Sequence, residues 1–158
     1  MAGRAATGAE FERLSWHDNA LYGLRFDVGD SCRGDWHSDL VLDIDHIIEW
    51  VCDADGQCRF RVAPATLTFH DVTDLKLAVD WGDSGCRTVL HEVSIGRITR
   101  ERVEDQKIRL DRPYYRWRIE LNWPQGGEIG FGASGFTQAL RAEPVLRDEQ
   151  KFSPADRA

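Results

Sequence analysis

The stretch Asp39 to Val51, DLVLDIDHIIEWV, decides the fold. Leu40, Leu42, Ile44, His46, Ile48 and Trp50 fall on one parity. Asp39, Asp43, Asp45 and Glu49 fall on the other, together with Val41, Ile47 and Val51. A period of two in β-branched and aromatic residues reads as a half-buried strand, with one apolar face and one carrying four carboxylates. The expectation is a central strand whose even-numbered side is core from Leu40 through Trp50.

Similar patterns lie on both sides. Ala20 to Val28 reads as a strand, with Gly23 marking a bulge or close backbone contact. Gly29 to Ser38 is a loop. Asp55-Gly56 signals a hairpin between the central strand and a returning strand, Arg59 to Val72. That strand changes parity across Ala63-Pro64-Ala65, which places a bulge or an edge position at Pro64. Further strands are expected at Leu75–Trp81, Leu90–Ile95, Tyr114–Trp123, Glu128–Ala133 and Phe136–Arg141. The piece after Gly96 reads as irregular or helical, and Glu10–Trp16 as a short helical turn.

About seven strands joined by Gly/Asp turns, without βαβ alternation, predict a mainly β fold. The expected form is an antiparallel sandwich or a curved barrel-like sheet, with at most short helical pieces. Residues 1–9 read as a flexible N-terminus, 10–143 as a single β domain and 144–158 as a charged, frayed C-terminal tail, with Val145, Leu146 and Phe152 able to pin part of it.

The 158 residues carry a net charge of −7, against the basic excess of a protein that tracks nucleic-acid phosphates. No window approaches a membrane span, and the N-terminus lacks an apolar signal core. A cytoplasmic protein follows, with Cys32, Cys52, Cys58 and Cys86 as free thiols. A bridge between Cys52 and Cys58 across the hairpin is the alternative.

Three groups of residues could carry function. Asp43 and Asp45, two apart on a strand, share a face and could hold a hard cation or supply a general base. The plainer reading pairs them with Arg59, Arg61, Arg116 or Arg118 across strands. The dipeptide His-Asp occurs twice, as His17-Asp18 and His70-Asp71, and His37 precedes Ser38-Asp39. Histidine with carboxylate is common metal-binding vocabulary, but no metal-site spacing is present. His46, on the apolar parity, reads as a hydrogen-bonded core residue. Trp16 and Trp36 lie in loops beside His17 and His37, where they could line a binding surface or cap the sheet. No P-loop, nucleophile elbow or ordered Ser/His/Asp set is legible.

The segments SWHD (15–18), LVLDIDHIIEW (40–50), FRVAPATLTFHDV (60–72), YRWRIEL (115–121) and GEIGFGASGFTQ (127–138) resemble a family of small uncharacterised bacterial proteins. That resemblance implies no activity and no site residue. In size, charge and strand content the chain is also loosely similar to immunity proteins of polymorphic toxin systems, which neutralise a toxin by binding it. The expectation is therefore a cofactor-free binding domain for a protein partner, built on Trp16, His17, Asp18, Trp36, His37, Asp43, Asp45 and His70. Edge strands leave a homodimer open. The alternative is a metal-binding domain or enzyme using His17, Asp18, Asp43, Asp45 and His70.

Overall fold

The structure, a computed structural model, describes residues 6–82, 92–104 and 111–157. The protein is mainly β. Ten antiparallel strands form one sheet: β1 (Ala6–Thr7), β2 (Ala20–Val28), β3 (Ser38–Cys52), β4 (Cys58–His70), β5 (Thr73–Ala78), β6 (Val93–Arg102), β7 (Tyr115–Trp123), β8 (Glu128–Ala133), β9 (Gly135–Leu140) and β10 (Val145–Arg147). Their order is β1-β9-β4-β3-β2-β6-β7-β8-β5, with β10 added to the free part of β4. Helical structure among the described residues is limited to short 3-10 turns at Gly8–Arg13 and Ser31–Arg33 and a last turn, α1 (Pro154–Arg157). None is long and apolar enough to cross a membrane.

The sheet is strongly curved. Strands β4 and β8 stand five places apart, about 24 Å in a flat sheet. Yet the rings of Phe69 on β4 and Phe131 on β8 lie 4.7 Å apart, and Phe69 also meets Trp117 of β7 at 5.0 Å. The inner face therefore closes on itself around Leu40, Leu42, Ile44, Leu67, Ile95, Ile119 and these rings. Each such side chain contributes about 1.5–3 kcal/mol by leaving water. Phe11 and Trp16 plug one side of this core, Trp16 donating its indole N–H to Gln138.

Several expectations change. The described residues form ten strands rather than about seven, and among them Ala6–Thr7 and Val145–Arg147 are too short to show a period. Strand β6 runs through Gly96 to Arg102, with register shifts on either side of Ile95 in place of an irregular piece. The bulge expected at Gly23 is present, as a register shift between Leu21 and Gly23. At Pro64 the β3–β4 register is unbroken, so no bulge is there; Pro64 lies between the stretches of β4 covered by β9 and by β10, an edge position where no N–H is missed.

The bulge sits instead on β3, at Ile48, between the pairs Ile47–Val62 and Glu49–Arg61. One extra residue reverses the facing of everything beyond it. Trp50 thus leaves the core side and packs edge-on against Phe60, half exposed. The expected apolar face from Leu40 through Trp50 ends at His46. Ile47, Val62 and Phe60 form a second, smaller core on the outer face, under Phe152. That is why β4 looks as though it changes parity: it serves two cores from its two faces.

The hairpin beyond the bulge sets Cys52 directly opposite Cys58, and the two form a disulfide with Cα atoms 4.0 Å apart. The expectation of free thiols fails there, because paired positions across a hairpin lie within bridging distance. Cys32 is free and exposed, and Cys86 lies outside the described residues.

Candidate functional site

Strand β3 carries Asp39, Asp43 and Asp45 outward in a row, and the row divides into two sites. The first lies at the upper end, where β2 and β4 finish and β3 and β5 begin. Asp39 is nearly buried and lies beside His70 of β4. His70 Nδ1 is 2.8 Å from Asp39 Oδ2, and His70 Nε2 is 3.0 Å from Thr137 Oγ1 of β9. With Nδ1–H donating to the carboxylate, Nε2 is left to accept the threonine hydroxyl. Three adjacent strands thus assemble hydroxyl, imidazole and carboxylate in line, the polarity that activates a hydroxyl in nucleophilic catalysis. His37 Nε2 approaches the same carboxylate at 3.7 Å and Asp27 at 3.8 Å.

The second lies lower on the same face. Asp45 is 0% exposed. It accepts the Phe152 N–H at 2.7 Å, the Tyr22 hydroxyl at 2.9 Å and the Arg157 guanidinium. Asp43 meets Arg157 and Arg141. The Arg157 guanidinium carbon also lies 3.8 Å from the centre of the Tyr22 ring. Burial, then the bond to Asp45, pushes the Tyr22 hydroxyl pKa well up, so it stays a donor.

Asp43 and Asp45 therefore do meet arginines, but not the cross-strand ones. Arg59 reaches Asp148 and Arg61 reaches Glu49, while Arg118 reaches Glu128. Arg141 directly follows β9, and Arg157 comes from the C-terminal residues, where β10 pairs with β4 and Phe152 is buried. The charged segment expected to fray is packed down. Its arginine was invisible as a partner because 112 residues separate it from Asp45.

The two His-Asp dipeptides turn out to share a backbone role. Asp18 and Asp71 both adopt left-handed conformations, φ 61° and 55°. Aspartate tolerates this region because its short side chain bonds locally. Asp71 receives the Ser134 hydroxyl and Arg112, and Asp18 receives Asn122 at 2.6 Å and Gln150 at 3.3 Å. The repeated dipeptide marks two chain corners. His17 at the lower corner is exposed and stacks at 6.4 Å on Trp50, far in register from His70.

His46 is a core residue. Asn19, itself buried, donates to His46 Nδ1 at 2.9 Å and accepts the Ile47 N–H at 3.1 Å. Burial lowers the His46 pKa to about 4, so the ring is neutral and able to accept that bond. Trp16, read as a possible surface residue, is buried in the core, whereas Trp36 is 79% exposed. Among the described residues no group of three or more His, Cys, Asp or Glu is arranged to hold a metal ion. At His70 the reason is visible, since both ring nitrogens are already engaged.

Of the residues singled out in the sequence, the structure gathers His37 and His70 at the upper end, with Trp36 adjoining His37 in the chain. It joins Asp43 with Asp45 under the C-terminal segment and leaves His17 and Asp18 at the lower corner. Asp39, Thr137, Tyr22 and Arg157 were missed as site residues. The parity shared by Asp39 and His70 on paired strands was the available signal for one of them. Comparison of the chain with family models, curated proteins and solved structures finds no match to any of them.

Proposed function

We propose that the chain is a recognition domain without catalytic activity, binding a protein partner through its upper end. One observation carries this reading. Phe26, Val28 and Trp36 are 56%, 66% and 79% exposed at the finish of β2 and in the following loop. Large exposed apolar side chains grouped in one region mark contact surfaces. Asp27, Asp30 and Asp35 lie in the same stretch of chain, so the partner is expected to offer basic groups beside an apolar centre. The likeness to immunity proteins makes a bacterial toxin the first partner to test, in the cytoplasm.

The test is a photo-reactive residue at position 36 in living cells, with exposed Leu77 as the control site. A single adduct at position 36, absent at 77, and loss of binding in Trp36→Ala support the reading. Equal labelling at both sites, or unchanged binding in Trp36→Ala, refutes it.

A second reading, hydroxyl-based hydrolysis, is favoured by the Thr137–His70–Asp39 alignment. Its test is a fluorophosphonate probe. A covalent adduct on Thr137 that disappears in His70→Ala supports it, and an unlabelled Thr137 in the intact chain removes it.

A further inference from the structure

The C-terminal segment occupies the lower outer face in the manner of a bound peptide. It places one aromatic ring, one backbone N–H and one guanidinium, each on a seat that the sheet provides. Phe152 is buried on Ile47 and Val62, with Phe60 alongside. Its N–H bonds Asp45. Arg157 lies over Tyr22 and bonds both Asp43 and Asp45. The hydrogen bonds that reach Asp45 come from this segment or from Tyr22. Without the segment, a buried carboxylate on a sheet face stands without a cation, which makes the seat selective for a positive group. Arg147, stacked on Phe152 and paired with Asp156 at 2.9 Å, holds the segment's course.

We propose that the face formed by Asp43, Asp45, Tyr22, Ile47 and Val62 is a recognition site for a partner segment bearing a large aromatic residue and, five residues later, an arginine. Phe152–Arg157 occupies that site in cis. The complementarity is chemical: two carboxylates and a tyrosine face for the guanidinium, an apolar shelf for the ring. Occupancy in cis keeps the site closed to weak competitors, because a tethered ligand acts at an effective concentration on the order of millimolar. A partner enters when its segment outcompetes the tail or when the tail is weakened. This site is separate from the upper-end surface around Trp36.

The experiment uses the full-length chain and a fluorescein-labelled peptide of sequence DEQKFSPADR, residues 148–157. Arg157→Lys, which keeps the charge but loses the guanidinium fork, and Arg157→Ala both weaken the resident tail. Fluorescence anisotropy is expected to show the peptide binding either folded variant at least about tenfold more tightly than it binds the unaltered chain. A peptide with alanine in place of its arginine should lose that binding, as should an Asp45→Asn change in the variant. Trp36→Ala should leave peptide binding unchanged, which separates this site from the upper end. Equal binding of both peptides, or no binding to either folded variant, overturns the proposal. A concentration-dependent dimer formed by the variants in place of peptide binding also overturns it, assigning the seat to a second copy of the chain.

Discussion

Asp39 and Asp45 stand on the same face of the same strand, and their hydrogen bonds are met in different ways. Asp39 finds His70 on the neighbouring strand and, through it, Thr137 one strand further. Asp45 finds groups from the far end of the chain, Phe152 and Arg157. The upper site is a product of sheet register alone: once β3, β4 and β9 align, its three groups meet. The lower site exists only after the chain has returned. A carboxylate buried by the return of a terminus is more dependent on its partner than one left partly wet at a sheet end.

The largest effect should therefore come from Arg157→Ala. It strands the Asp45 carboxylate in a buried place, and loss of one partner of such a pair costs about 3–5 kcal/mol. A urea midpoint unchanged from that of the unaltered chain would erase the difference between the two sites. Asp45→Asn should cost less than Arg157→Ala, since the amide oxygen still accepts from Tyr22 and Phe152.

Next comes acid, acting on the inner face of the same strand. His46 is held neutral by burial, with its pKa lowered from 6.5 to about 4. The unfolded state therefore binds the proton first. The contribution of the neutral ring is full above pH 6.5 and is lost as pH falls toward 4, amounting to about 3 kcal/mol. Stability measured by denaturant titration across that window should fall in the unaltered chain and flatten in His46→Gln. A slope that persists in the variant would move the cause to other groups.

Reduction of the Cys52–Cys58 bridge, or the double change to serine, should cost roughly 2 kcal/mol for so short a loop. The loss should be confined to the hairpin tip, leaving amide exchange at Leu40–Ile44 unaltered. The smallest effect is expected from Thr137→Val at the partly wet upper site, about 1 kcal/mol or less. A larger loss there would make the upper site as dependent on its partners as the lower.

These contrasts also explain what could be read in advance. Strands β2, β3, β4, β7 and β8 were legible because their alternation is long enough to show a period. The acidic row on β3 was legible for the same reason. Its partners were not, since parity tells which face a residue takes but not what arrives to cover it. Trp16 and Trp50 moved in opposite senses. A loop tryptophan was pulled into the core by Phe11 and Gln138. A strand tryptophan was turned out of the core by a single extra residue, for which the apolar run Ile47-Ile48 gave no sign. The His-Asp dipeptides did not show that each aspartate turns a chain corner, because a left-handed aspartate and a ligand aspartate are spelled alike.

Ile48 works like a frameshift in a reading frame. Upstream of it, alternate letters of β3 spell the large core; downstream, the same alternation spells the other side. Deleting that one residue would remove the bulge and keep the pairs Glu49–Arg61 and Trp50–Phe60, whereas deleting one from Leu40–His46 would turn the following residues to the wrong face. The loss of one residue should therefore be borne better at Ile48 than anywhere in Leu40–His46, where the alternation has none to spare.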